Sequence, residues 1–345
     1  MGEQHLLSSG PLLNEAGNLA EAGYAFGLVK RYDREAIKAK KSRIKEWDYY
    51  YIGNKERGLA LTLADNGYMG LVSISLLDFQ KKNDITVSKI ILFPMGKMKL
   101  PRTSRMGDVA YADPKKGIEL KFLHQGDKRR LLCTFPKFGK AKQIFRCDIL
   151  LQETNKNSMV IATPFDTPRH FYYNQKINNL VASGYVKLGE TFLDFGRDTY
   201  GVLDWGRGVW TYRNTWYWSS LNAFQDGHYI GFNLGYGFGN TSRASENMFF
   251  YDEKAVKLDD VKMDIPLAKN GKDDFMRPWT FKSKSGDIDL VFTPIYDRHA
   301  DMNLLVLRSN QHQVFGTFSG TFTVDGETIV LRDLMGFAEK VYNKR

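Results

Sequence analysis

The sequence predicts an all-β protein of two tandem antiparallel barrel domains with a few short helices. Three observations carry this. Runs such as Leu71–Leu76, Thr86–Phe93, Asp289–Thr293 and Thr317–Val324 alternate in character with period two, as strands do when one face meets a core or cavity. Asn66-Gly67, Gly126-Asp127, Asp226-Gly227 and Asp325-Gly326 punctuate such runs, and Asn-Gly or Asp-Gly between alternating segments favours a tight hairpin turn. The two halves also echo each other. Trp47–Ile52 lies on Trp216–Leu221, Asn66–Leu71 on Asp226–Gly231, Leu131–Thr134 on Leu290–Thr293, and Gln143–Phe145 on Gln313–Phe315, at offsets near half of the 345 residues. A period this long means tandem domains, expected at residues 1–165 and 166–345.

Composition narrows the class. Hydrophobic residues are 43% and charged residues 26%, which excludes a disordered chain. Two cysteines make no disulfide framework, and Met1–Leu7 has no basic stretch leading into an apolar run, so a reducing, cytoplasmic setting is expected. No apolar run reaches the roughly eighteen residues that a spanning helix needs. The net charge of +10 is uneven. Residues 1–165 hold 28 bases and 17 acids, residues 166–345 hold 21 and 22, and five of six tryptophans follow residue 200. The first half therefore reads as a basic scaffold and the second as the place of the ligand site.

In chain order, the first expected element is a helix from Asp33 to about Ile44, capped by Asp33. Its Lys38, Lys40, Lys41, Arg43 and Lys45 form a basic face, either a solvated cover for a barrel end or a contact for an acidic membrane surface. No nucleic-acid signature accompanies the charge, so nucleic acid is not an expected partner. Cys133 and Cys147 fall on two strands that form a hairpin and read as reduced core thiols. His170–Lys176, read as the connection between halves, offers Tyr172 and Asn174 to seal an opening or touch a ligand.

The densest chemistry lies in Asp204–Trp218. Trp216 and Trp218 are two apart and share one face of a strand, suited to a cavity wall with Trp205, Trp210 and Arg213 nearby. The bland alternative is an aromatic barrel core, with Asp204 and Arg207 as a structural ion pair. Gly235–Gly239 reads as a bend, preceded by Asn233. Glu246 and Asn247 enter an apolar strand, where burial would raise the Glu246 pKa. Tyr296–Asp301, with His299, reads as a long functional loop ahead of His312 and Gln313. No metal-ligand spacing, phosphate-binding loop or nucleophile elbow is present, so neither metal nor cofactor is expected.

Leu203–Trp210 with Trp216-Tyr217-Trp218, together with His170–Asn178 and Gly336–Val341, resembles a bacterial family known as domain of unknown function 2804. More distantly the chain resembles hydroxyneurosporene synthase (carotenoid 1,2-hydratase) and AttH-like proteins. That resemblance implies two lipocalin-like barrels in tandem. Fungal Diels–Alderases of similar architecture hold a polyene between the domains. The resemblance transfers no hydratase residue to a position here.

The residues themselves set the functional expectation. Hydrating an isolated alkene needs a carboxylic acid kept neutral in a dry site, and aromatic faces to stabilise a cation. Asp204 is the first candidate acid, Glu246 the alternative, with Arg207 in the same polar group and His299 or Asp301 orienting water. Cyclisation needs only shape and a hydrogen bond to a carbonyl, from Arg213, Tyr172 or Asn247. The expected partner is a hydrophobic small molecule, isoprenoid, polyene or lipid-like. Two alternatives use the same residues: a carrier without catalysis, and a carbohydrate-binding protein.

Overall fold

The computed structural model describes residues 4–304 and 307–344. Ten strands form the main path of the first sheet: β1 (Ile44–Gly53), β2 (Arg57–Asp65), β3 (Met69–Asp78), β4 (Asn83–Leu92), β5 (Val109–Asp113), β6 (Ile118–Gln125), β7 (Lys128–Phe138), β8 (Gln143–Glu153), β9 (Phe171–Leu188) and β10 (Tyr200–Val209). They pair in the order β4-β3-β2-β1-β10-β9-β8-β7-β6-β5; the short strands Met159–Pro164 and Thr191–Asp194 join beside β9, and Gly23–Ala25 pairs with Met159–Pro164. The second sheet uses β11 (Arg213–Gln225), β12 (His228–Tyr236), β13 (Met248–Tyr251), β14 (Lys254–Lys257), β15 (Val261–Asp264), β16 (Trp279–Ser283), β17 (Ile288–Leu304), β18 (Leu307–Val324) and β19 (Glu327–Lys344). Its order is β14-β13-β12-β11-β19-β18-β17-β16-β15.

The two sheets are curled and antiparallel, as two tandem lipocalin-like domains require. Each wraps its own apolar core: one holds Leu61, Ile74, Phe145 and Trp205, the other Phe232, Phe249, Trp279 and Phe318. The sheet changes between Val209 and Arg213. By strand pairing the first unit therefore runs to Val209, past the expected division at 165/166. β9 and β10 come late in sequence yet close the first sheet against β8 and β1.

The hairpin dipeptides sit where expected. Asp226-Gly227 and Asp325-Gly326 both carry positive φ at both residues, the twist that matches two right-handed strands. Cys133 pairs directly with Cys147 across β7 and β8, and both are buried free thiols.

Three expectations are corrected. The segment 33–44 is not one helix but two single 3-10 turns, Arg34–Ala36 and Lys41–Arg43, although Asp33 does accept from Glu35 N at 3.1 Å. Its only buried residues are Tyr32 before it, then Ile37 and Ile44, seven apart. That is too sparse a stripe to seat a helix. His170–Lys176 is no linker, since Phe171 onward is the start of β9. Tyr296–Asp301 is no loop: it lies inside the long β17–β18 hairpin, paired from Leu304–Leu307 to Ile288–Phe322. The repeat is also partly out of step. Trp47 and Trp216 occupy equivalent strands, β1 and β11, but the turn at Asn66-Gly67 joins β2 to β3 while that at Asp226-Gly227 joins β11 to β12.

No helix among the described residues is long and apolar enough to cross a membrane.

Candidate functional site

β1 shows how the site arises. Ile44, Tyr50 and Ile52 point into the first core, while Trp47, Tyr49 and Tyr51 on alternate positions point toward the second sheet. β10 repeats the pattern, with Leu203, Trp205 and Val209 in the core and Asp204 on the other face. β11 does the same from its side: Leu221 and Ala223 enter the second core, and Trp216 and Trp218 face the first sheet. Between these outward faces lies a cavity of about 520 Å³. Both sheets wall it, so the cavity is not built mainly from the second.

One end is aromatic. Trp210 meets Trp47, Trp216 and Phe238 at ring-centroid distances of 5.1, 5.8 and 4.9 Å, and Trp47 stacks on Tyr172 at 6.1 Å. Phe238 reaches this cluster because Gly237 and Gly239, both at positive φ, bend the chain after β12. The opposite wall is hydroxylated: Ser73 and Ser88 hydrogen-bond at 2.8 Å, and Thr86 donates to Ser75 at 2.8 Å. Arg298, on the β17 arm that closes over this wall, donates to Ser75 at 2.8 Å.

Three carboxyls and one ammonium occupy the middle. Lys176 Nζ lies 2.8 Å from Asp204 Oδ1 and 3.7 Å from the centroid of Trp218. Asn174 donates to the same Asp204 oxygen at 2.6 Å. Glu339 accepts from Trp216 Nε1 at 2.8 Å, and burial still pushes its carboxyl up to about 7. Burial likewise pushes Glu246 up to about 7, against the lowering fields of Lys176 and Lys257. Tyr49, which receives a hydrogen bond from Gln313 at 3.2 Å, is pushed up to about 12. The centre can therefore hold a neutral carboxylic acid next to a carboxylate–ammonium pair, in an aromatic enclosure.

The expected site residues divide accordingly. Asp204, Glu246, Tyr172, Trp210, Trp216, Trp218, His299 and Gln313 line the cavity. Asn174 and Asn233 stand behind it: Asn233 accepts from Trp218 Nε1 at 2.6 Å and donates to the Glu246 carbonyl at 2.7 Å. Trp205 and Arg207 do not reach it. Both lie on the core side of β10, where Arg207 pairs with Asp48 at 3.0 Å and lies against the Trp205 ring. Asp204 and Arg207 thus form two separate ion pairs rather than one, because residues three apart on a strand face opposite ways. Arg213 is exposed and Asn247 is tied to Gly235 N and Asp259 O; neither lines the cavity. His312 is held by Asp297 at 2.7 Å and stacked between Phe275 and His299. Lys176, Glu339, Tyr49 and Arg298 belong to the site although spacing did not single them out.

The fold is similar to that of a protein assigned as AttH from Nitrosomonas europaea, at 12% identity and TM-score 0.54, over 91% of this chain and 98% of that one. A kievitone hydratase from Nectria haematococca aligns at 11% identity and TM-score 0.48, over 91% of this chain and 95% of that one. At such identity the first likeness speaks for the fold alone. Comparison with curated proteins finds no match. The family profile DUF2804, described as a domain of unknown function, matches residues 3–344, and the chain belongs to that family.

Proposed function

We propose that the cavity binds an apolar or amphipathic small molecule and protonates it, leading to hydration or cyclisation. The observation that carries this reading is the pair of buried carboxyls, Glu246 and Glu339, both raised to about 7 beside the aromatic cluster. A group with that pKa is available as an acid at neutral pH. Glu339 is the better placed donor, because Trp216 Nε1 fixes one of its oxygens and the Trp216 ring flanks the same space.

In the hydration form, the Glu339 proton bonds to one alkene carbon using the π pair, and the neighbouring carbon becomes cationic. The faces of Trp47, Trp210 and Trp216 stabilise that charge. Water then forms the C–O bond, and its proton passes to the Asp204 carboxylate, whose exchange with solvent restores Glu339. Cyclisation uses the same first step, with a second double bond of the substrate in place of water. The hydroxyl wall and Arg298 suit a polar end on the ligand, which favours an amphipathic molecule over a pure hydrocarbon.

Native mass spectrometry of the purified protein identifies a retained apolar ligand. Incubating that ligand in deuterated water then reads the proton transfer. Carbon-bound deuterium that appears with wild type and is lost in Glu339→Gln, while binding persists, is the expected result. Binding without any deuterium incorporation leaves a carrier and overturns the catalytic reading.

A further inference from the structure

The cavity opens beside a surface that the acid chemistry does not use. We propose that this surface docks the protein onto an anionic lipid bilayer. It is built on the turn at Asn66-Gly67. Phe93 N donates to Tyr68 O and Met95 N to Gly67 O, so the segment after β4 is tied to this turn from one side. The 3-10 segment lies against the same place: a Cβ at Gly67 would meet Ser42 O at 2.5 Å, and one at Gly96 would meet Arg34 Nε at 2.6 Å. Asn66, Met69 and Ile90 of this region also line the cavity, which puts the surface on its rim.

Two features of this surface select its partner. The first is apolar side chains in water: Leu92 is 75% exposed and Phe93 66%, with Ile90 and Met95 also exposed. Such a cluster on a folded domain marks a contact surface. Phe93 and Met95 hold φ of 49° and 51°, a left-handed conformation unfavourable for large side chains and here kept at consecutive outward corners. The second is charge. Residues 34–43 and 92–106 together carry nine Lys and Arg against one acid, Glu35. Arg34, Arg105 and Arg102 are taken by Glu46, Glu153 and Asp33, but Lys40, Lys41, Lys97 and Lys99 are exposed lysines around the apolar corner. An apolar point ringed by lysines matches the acyl boundary and anionic headgroups of a bilayer. The position at the cavity rim would set the cavity beside the bilayer from which an apolar ligand comes. The inference stands whether or not the cavity is catalytic.

Vesicle flotation tests it with the whole chain. Wild type is expected to float with phosphatidylcholine vesicles containing about one-third phosphatidylglycerol and to remain behind with phosphatidylcholine alone. Flotation should fall about tenfold in high salt. Phe93→Ser with Met95→Ser, and separately Lys97→Glu with Lys99→Glu, should each lower flotation about tenfold. Lys282→Glu with Lys284→Glu, exposed on the second domain, should leave it unchanged. No flotation of wild type, equal flotation without anionic lipid, or equal loss in the control pair each overturns the proposal. So does flotation that survives the Phe93 and Met95 changes. Unchanged thermal unfolding of the variants confirms that a loss is local.

Discussion

Asp204 and Glu339 occupy equivalent places in the two sheets. Asp204 faces Tyr49 across the β10–β1 pair, and Glu339 faces Trp218 across the β19–β11 pair. One strand further out, Lys176 pairs with Asp204 and Gln313 with Glu339. The contacts then cross between sheets: Lys176 of the first covers Trp218 of the second, and Gln313 of the second donates to Tyr49 of the first. Tyr49 and Trp218 themselves meet edge to face at 6.2 Å. The same scaffold position thus carries a carboxylate paired with an ammonium in one copy. In the other it carries a carboxyl that accepts from an indole and lies opposite an amide residue, with the Lys176 ammonium acting on it only through its field.

The acids give stability an unusual pH profile. Glu246 and Glu339 have folded pKa values near 7 against 4.5 when unfolded, so the folded chain binds more protons between those values. Their stabilising contribution is full below about 4.5 and is lost as pH rises through 7, on the order of 3 kcal/mol for each. Lys257 has the opposite sign. Burial pushes it down to about 7, so the unfolded chain binds more protons above that value and stability rises again toward 10.5. Chemical denaturation between pH 5 and 10 should therefore show a minimum near neutrality. Glu339→Gln should flatten the acidic limb and Lys257→Met the alkaline one. A curve with a maximum near pH 7 contradicts the burial of these groups in their stated forms.

Trp216→Phe separates the ring from the indole donor. The hydrogen bond to Glu339 favours the ionised carboxylate, so its loss should move the Glu339 titration upward by about one pH unit, with the aromatic wall largely kept. NMR of the side-chain carboxyl carbons reads the shift. An unchanged midpoint would mean that Trp216 acts on Glu339 only by covering it.

Lys176→Met removes the one cation that touches both Asp204 and Trp218. Asp204 is then buried without its ion-pair partner, and unfolding free energy should fall by about 3–5 kcal/mol. Glu246 and Glu339 should titrate still higher, since the field of Lys176 lowers both. Adding Asp204→Asn should restore part of the stability, because it removes the stranded charge. Additive losses in that double variant would show that the pair is not coupled.

How much of this was legible in sequence follows from periodicity. Alternation placed Trp216 and Trp218 on one face, and the position of Glu246 in an apolar stretch foretold its raised pKa. The same rule, applied to Asp204 and Trp205, puts them on opposite faces. Their adjacency in a dense motif suggested one site where the fold makes a cavity residue and a core residue. Lys176, Glu339 and Arg298 escaped because they come from β9, β19 and β17, and no spacing links strands of different sheets. The signal that existed was the Trp47–Trp216 match: carried two residues on, it reaches Tyr49 and Trp218, the pair at the centre of the cavity. Tyr296–Asp301 suggested a loop because the connection from Thr293 to Gln313 is longer than that from Thr134 to Gln143, whereas the fold spends the extra length on extending a hairpin.

Gly206 gives the tightest test of the aromatic wall. It lies on β10 directly opposite Trp47 of β1, and a Cβ there would come within 1.9 Å of the Trp47 ring. Neither the backbone conformation nor a turn demands glycine at this position, because it lies inside a strand and its φ is not positive. What demands it is the indole lying flat across the neighbouring strand, where it stacks on Tyr172 and meets the edge of Trp210. Gly206→Ala should therefore swing Trp47 away from the wall and disturb both contacts, at a cost of about 1–3 kcal/mol for overpacking. Ligand retention in native mass spectrometry should drop, while Trp205→Ala, which empties the barrel core instead, should cost about 3–5 kcal/mol and act on stability first. If Gly206→Ala keeps both the ligand and the Trp47 fluorescence environment, the aromatic end of the cavity is not where the ligand sits.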